Sequence, residues 1–199
     1  MFDASPRSLD VTEIIRTHYP PGSKAYDILM RHGQLVAAKA LAVADRVGRL
    51  RPDRDFLVEA AFLHDIGICG TDTPELGCRG SAPYLRHGVI GREMLESRGL
   101  LRHAMVCERH VGVGITREEV RANRLPLPDR DMVPVSLEEE IVCYADKFFS
   151  KAGNGFSISR TVEEVRAGLA RFAPRGLQVF DRWAERFEPP PDDPTHDDP

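Results

Sequence analysis

Paired cysteines at C-x-x-C spacing, an apolar run long enough to cross a bilayer, and an excess of basic residues are all missing from this chain. Cys69, Cys78, Cys107 and Cys143 match neither a thiol-metal knuckle nor the framework of a small secreted fold, which predicts free thiols in a reducing compartment. No apolar stretch approaches the roughly 20 residues of a membrane helix, and Met1 to Asp10 lacks the basic-then-apolar signature of a secretory signal. The expected setting is therefore the cytoplasm, with no membrane partner. Lys and Arg total 27 against 31 Asp and Glu, a formal charge of -4, and the arginines are scattered rather than striped. Duplex nucleic acid, which draws on clustered cations facing phosphate, is excluded as a default partner.

What is present is ordinary in bulk and unusual in detail. At 199 residues, 42% apolar and 29% charged, the chain fits one globular domain, expected over residues 1–187 with its core at about 25–151. Residues 188–199, rich in Pro and Asp, are expected to form a disordered tail that takes His196 with it.

Apolar periodicity throughout is helical and strands are scarce. A short helix opens at the capping pattern Asp10-Val11-Thr12-Glu13, with His18 at its end as a surface or packing residue. A long amphipathic helix spans about Ser23 to Leu50, and a nearly all-apolar one runs from Asp53 to His64. Further helices are expected from Tyr84 to Arg98, through Leu101 to His110, from Ser136 to Phe149, from Thr161 to Phe172, and from Pro174 onward. Thr116-Arg117-Glu118-Glu119, Ser136-Leu137-Glu138-Glu139 and Thr161-Val162-Glu163-Glu164 all carry the capping-box spacing. The Gly-, Thr-, Asp- and Pro-rich stretch from Gly67 to Pro83 is long for a compact domain and is expected to be a functional loop.

The feature hardest to explain by packing is Ala60-Ala61-Phe62-Leu63-His64-Asp65-Ile66-Gly67, an apolar run ending in two metal-ligand types side by side. Placing an imidazole and a carboxylate there costs several kcal/mol unless something satisfies them. Four further residues fall at helix ends or on apolar helix faces: His32, His87, His110 and Asp146. Helices side by side would aim all six inward at a bundle-core metal site. His103 has no such context and is expected to be exposed; Cys69 and Cys78 are the less suitable donors beside so many imidazoles and carboxylates.

The order His, His-Asp, His, His, Asp resembles the HD superfamily of metal-dependent phosphohydrolases, with Ile66 and Gly67 completing its HDIG variant. The segments RHGVIGREML, ERHVGVGITREEV and VSLEEEIVCYADKF are similar to those of a small HDIG family of archaea and bacteria. The resemblance covers about Ala25 to Lys151 and implies an all-α HD bundle. It implies one metal held by His32, His64, Asp65 and Asp146, and a second by His87 and His110 with Asp65 bridging. The expected cofactor is a pair of divalent ions, iron or manganese foremost, with cobalt, nickel or magnesium as alternatives. Arg109-His110 stands where the cyclic-dinucleotide branch has two histidines, and its GYP motif is missing after Gly112, which disfavours cyclic-di-GMP. In the branch that hydrolyses dinucleoside tetraphosphates, aromatic and acidic residues stand where this chain has Lys147-Phe148-Phe149.

The expected function is hydrolysis of a phosphoester or phosphoanhydride of a small phosphorylated substrate, a nucleotide foremost, with a metal-activated water or hydroxide as nucleophile. Asp65 would orient that nucleophile, and Lys147, Arg109 or Lys151 would neutralise phosphoryl charge. Two alternatives keep the same ligands: a mixed-valent di-iron oxygenase of the same superfamily, and a non-catalytic nucleotide sensor. A homodimer is compatible with all three.

Overall fold

The computed structural model describes residues 9–151, 157–172 and 174–188. Among them are nine α-helices and two hairpins of two very short strands each, the all-α architecture expected. The helices are α1 (Val11–Arg16), α2 (Lys24–Arg46), α3 (Arg54–Leu63), α4 (His87–Glu96), α5 (Leu101–Arg109), α6 (Arg117–Ala122), α7 (Leu137–Asp146), α8 (Val162–Phe172) and α9 (Pro174–Phe187). The antiparallel pairs are β1 (Asp72–Thr73) with β2 (Cys78–Arg79), and β3 (Phe149–Lys151) with β4 (Ser157–Ser159). No helix among the described residues is long and apolar enough to cross a membrane.

Helix starts are written in short polar side chains. Asp10, Ser23, Asp53 and Ser136 each accept a hydrogen bond from the backbone N–H three residues on. Thr116 with Glu119, and Thr161 with Glu164, form complete capping boxes. At Ser136 the box is half made, because Glu139 accepts from the Val135 N–H and from Arg109 instead.

Several boundaries differ from the periodicity. The long helix stops at Arg46 and gives way to a 3-10 turn over Gly48–Leu50. Helix α7 stops at Asp146, so Phe149 lies in a strand rather than on the helical stripe; an aromatic there packs equally well from either. The stretch from Gly67 to Pro83 is ordered by 3-10 turns at Ile66–Gly70 and Pro74–Leu76 and by the β1–β2 pair. Glu188, placed in the tail by composition, pairs with Lys39 and Arg46 and accepts from the Tyr144 hydroxyl; the rest of that segment and Gly153-Asn154-Gly155 lie outside the described residues.

Among the described residues the interior holds two large apolar clusters and a small third of Val89, Val120 and Met132. One gathers Val36, Ala40 and Val43 of α2, Leu57 and Ala60 of α3, Ile141 and Val142 of α7, and Phe180, Trp183 and Phe187 of α9. The other gathers Ile15 of α1, Ile28 and Leu29 of α2, Leu63, Ile66, Leu95 of α4 and Ala104 of α5. Each large side chain so buried stabilises the fold by about 1.5–3 kcal/mol. Helix α2 passes from one cluster to the other at His32, and α3 does so just before His64. The polar site sits on that seam.

Candidate metal centre

All six expected ligands are buried. His32 lies mid-way along α2, His64 and Asp65 follow the last residue of α3, His87 opens α4, His110 follows α5, and Asp146 closes α7. They form two groups that share Asp65: His32, His64, Asp65 and Asp146, and Asp65, His87 and His110. In the first, His32 Nε2 is 2.9 Å from Asp146 Oδ1 and 3.4 Å from Asp65 Oδ2, and His64 Nε2 is 3.0 Å from Asp65 Oδ2. In the second, His87 Nε2 and His110 Nε2 are 3.1 Å apart and each is 3.4 Å from Asp65 Oδ1. The two oxygens of one carboxylate thus face two different groups.

Close backbone approach makes this convergence possible. A Cβ on Gly67 would stand 2.1 Å from the His87 carbonyl oxygen and 2.3 Å from Gly91 N, so only glycine lets the turn after the His-Asp pair lie against α4. Its role is close contact with α4. On the other side of His87, a Cβ on Gly88 would meet the Cys107 carbonyl at 2.6 Å, so α5 also closes on α4. Tyr19 braces the same turn: its hydroxyl donates to the Ile66 carbonyl and accepts from the Cys69 N–H, both at 2.8 Å.

Three imidazoles are oriented by their own helix turns. Nδ1 of His64 donates to the Ala61 carbonyl at 2.8 Å, that of His87 to Tyr84 at 2.7 Å, and that of His110 to Cys107 at 2.8 Å. A carbonyl can only accept, so each Nδ1 carries the proton and each Nε2 faces the site. Burial pushes the His87 imidazole down to about 3 and lowers that of His110, so both rings are neutral and both Nε2 atoms are acceptors. Two nitrogen lone pairs and Asp65 Oδ1 therefore point at one another with no donor between them. Among the described residues Asp65 Oδ1 accepts no hydrogen bond, while Oδ2 faces His64 and Lys151. Three buried acceptors converging without a donor fit a cation, and the N and O donor set suits a divalent transition metal.

The first group compensates its charge with protons and lysine. Burial opposes the charged form of His64, but Asp65 and Asp146 outweigh it and lift the imidazole to about 9. Burial is also the largest effect on His32, which falls to about 4. Desolvation works against both carboxylates, yet His64 and the lysines hold Asp65 and Asp146 well below the usual carboxylate range. Lys151 Nζ stands 2.7 Å from Asp65 Oδ2, and Lys147 Nζ donates to Asp146 Oδ2 at 2.8 Å. Both lysines line a cleft of about 600 Å³ beside the ligands, together with Asp146 and Tyr84.

Of the three cations expected to meet phosphate, Lys147 and Lys151 are at the site. Arg109 is turned to Glu139, its Nη1 donating to both carboxylate oxygens at 2.9 Å, and it ties α5 to α7. His103 is buried, not exposed: it lies on Phe56 with ring centroids 4.7 Å apart, and its Nε2 is 3.1 Å from Glu59 Oε2. Its partner comes from α3, 44 residues away, which no local pattern announces. After His110, Gly114 at φ +83 packs on Val133. All four cysteines are free thiols, and neither ligand group contains one. Tyr84, stacked on His87 at 4.6 Å between centroids, and Tyr19 were not legible as site residues, since an aromatic at a helix start or end carries no ligand signature.

The sequence pattern of the HD domain matches residues 29–150. The chain belongs to the HD-domain family. Over 127 residues, 63% of this chain, it is 35% identical to a tRNA (cytidine(56)-2'-O)-methyltransferase of Picrophilus torridus, 33% of whose length is matched. Over 110 residues, 55% of this chain, it is 37% identical to an uncharacterised protein of Methanocaldococcus jannaschii, 57% of whose length is matched. This HD chain thus spans about a third to somewhat over half the length of those relatives. Among solved structures it resembles the HD domain of the phosphodiesterase PgpH from L. monocytogenes, with a TM-score of 0.50 and 15% identity over 87% of this chain and 94% of that one. The same domain in complex with cyclic-di-AMP matches with a TM-score of 0.50 over 90% of this chain and 96% of that one. At 15% identity this likeness is one of fold.

Proposed function

We propose that this chain, as a single catalytic domain over residues 1–187, is a metal-dependent phosphohydrolase acting on a phosphoester or phosphoanhydride of a small molecule, a nucleotide foremost. The observation that carries the reading is Asp65, whose two buried oxygens face two separate groups of imidazole nitrogens. His32, His64, Asp65 and Asp146 would hold one divalent ion, and Asp65, His87 and His110 a second, with iron or manganese the first choice. Ions so held would acidify a water and bind phosphate oxygens. The protein's own residues do the remainder. Asp65, gripped on both sides, sets the spacing of the two ligand groups. Lys147, held by Asp146 Oδ2 and 3.5 Å from the His110 carbonyl, keeps its charge and presents it to the cleft, where it would neutralise a phosphoryl group. Lys151, paired with Asp65, would turn to the same phosphate once a metal takes its place at that carboxylate. Arg109 is left out of this chemistry by its pairing with Glu139.

The deciding experiment is elemental analysis of protein purified without added metal, followed by phosphate release from a panel of nucleotides and dinucleotides on the same sample. Bound metal with phosphate release supports the reading; metal-loaded protein that releases none from any of them overturns it. Iron without release would match the di-iron oxygenase instead, and nucleotide binding without turnover would match a sensor.

A further inference from the structure

Tyr84 opens the 3-10 turn that leads into α4. Its ring stacks on the His87 imidazole, 4.6 Å between centroids and 26° from parallel, and its backbone carbonyl accepts from His87 Nδ1. These two contacts fix the ring and give the hydroxyl a set place. That place is the cleft, which Tyr84 lines with Lys147 and Lys151, and the Lys151 ammonium stands beside the phenol. Tyr84 is 39% exposed, whereas none of the six ligands exceeds 8%. The ligands are thus the floor of the site, and Tyr84 stands at its mouth.

In a displacement at phosphorus, water enters on one side and the leaving oxygen departs on the opposite side. A water activated between the two ligand groups attacks from the floor, so the leaving oxygen departs toward the mouth. An alkoxide leaves poorly unless its oxygen takes up a proton as the bond breaks. The imidazoles offer none there, because each Nε2 faces the ligand groups and three Nδ1 atoms donate to carbonyls. Lys147 and Lys151 are held by Asp146 and Asp65 and supply charge. A phenol keeps its proton at neutral pH and is a hydrogen-bond donor. We propose that Tyr84 is the proton donor to the leaving oxygen. The P–O bond breaks with its electron pair on that oxygen, which takes the Tyr84 proton while the water oxygen bonds to phosphorus. The Lys151 ammonium steadies the phenolate, which regains the proton released by the attacking water. This role rests on the phosphohydrolase reading and adds to it the group that acts on the far side of the scissile bond.

The role is tested with two esters, the manganese-loaded protein and its Tyr84→Phe variant. Adenosine 5′-monophosphate has an alkoxide leaving group, whereas the 4-nitrophenolate of 4-nitrophenyl phosphate departs without a proton. Phenylalanine keeps the ring on His87 and removes only the hydroxyl, so metal content by elemental analysis is expected to be unchanged. In the variant, kcat is expected to fall about a hundredfold on the adenosine ester and to change by less than about threefold on the nitrophenyl ester. Equal loss on both esters, or no loss on either, overturns the inference. Loss of metal from the variant also overturns it, since Tyr84 would then be a support of His87. Release from the nitrophenyl ester alone by the unaltered protein would show that the site has no proton donor. In each of these cases the phosphohydrolase reading stands. Release from neither ester by the unaltered protein would overturn that reading and this inference together.

Discussion

At Asp65 a single side chain belongs to two ligand groups, and that gives it a signature no other ligand shares. If the proposed pair of ions binds, Asp65→Asn should lose both, whereas His87→Gln, which touches only the second group, should keep about one ion per chain against about two in the unaltered protein. Metal content measured beside the far-ultraviolet dichroism separates ligand loss from unfolding; an Asp65→Asn protein that retains both ions would refute the bridging role. His103 makes a different prediction, away from the metals. Burial lowers its pKa below the ordinary 6.5 despite the neighbouring Glu59. The unfolded chain then takes up the proton before the folded one does, so the stability it contributes is complete above pH 6.5 and is lost as pH falls through the folded value. Chemical denaturation should show a decline on going from neutral to mildly acidic pH, and His103→Phe should flatten part of that decline.

Among the elements, the turn after α3 is the part that cannot be altered without moving the site. Gly67→Ala forces a methyl into the His87 carbonyl and Gly91 N, and should cost about 1–3 kcal/mol with a parallel loss of metal affinity. Tyr19→Phe leaves the Ile66 carbonyl and the Cys69 N–H without their partner and should cost about 1–3 kcal/mol in urea denaturation. A Tyr19→Phe protein of unchanged stability would show that the turn holds itself. How far these elements could be read from sequence follows from the range of the forces behind them. Capping residues act over three positions, and the apolar stripes that carry His32, His64, His110 and Asp146 act over single helices, so helices and ligands alike were legible. The brace from Tyr19, the Glu59 partner of His103 and the diversion of Arg109 to Glu139 join residues 30 to 50 positions apart, and no periodicity encodes such pairs. The β3–β4 hairpin was hidden because Phe148 and Phe149 extend a helical stripe that the chain abandons at Asp146.

On the scale of the whole molecule, a metal bound at this site would be linked to the fold. Ligands drawn from five helices or their ends converge on the seam between the two apolar clusters, so an ion that binds only the folded arrangement stabilises it by mass action. Free metal at a hundredfold excess over its dissociation constant should add about 2.7 kcal/mol, read as a higher melting temperature that a chelator reverses. A melting temperature indifferent to both would mean that the ligands close no site in solution.

That seam also sets how the molecule would come apart. Two oily halves meet along a strip of carboxylates and imidazoles, and the strip is where water would enter first. Amide hydrogen exchange should therefore divide the chain into two blocks, with residues 64–70 and 84–88 exchanging early once a chelator is added and the amides of α7 and α9 exchanging late. A metal scavenger would act on this protein as a selective solvent, loosening one face of the bundle before the other.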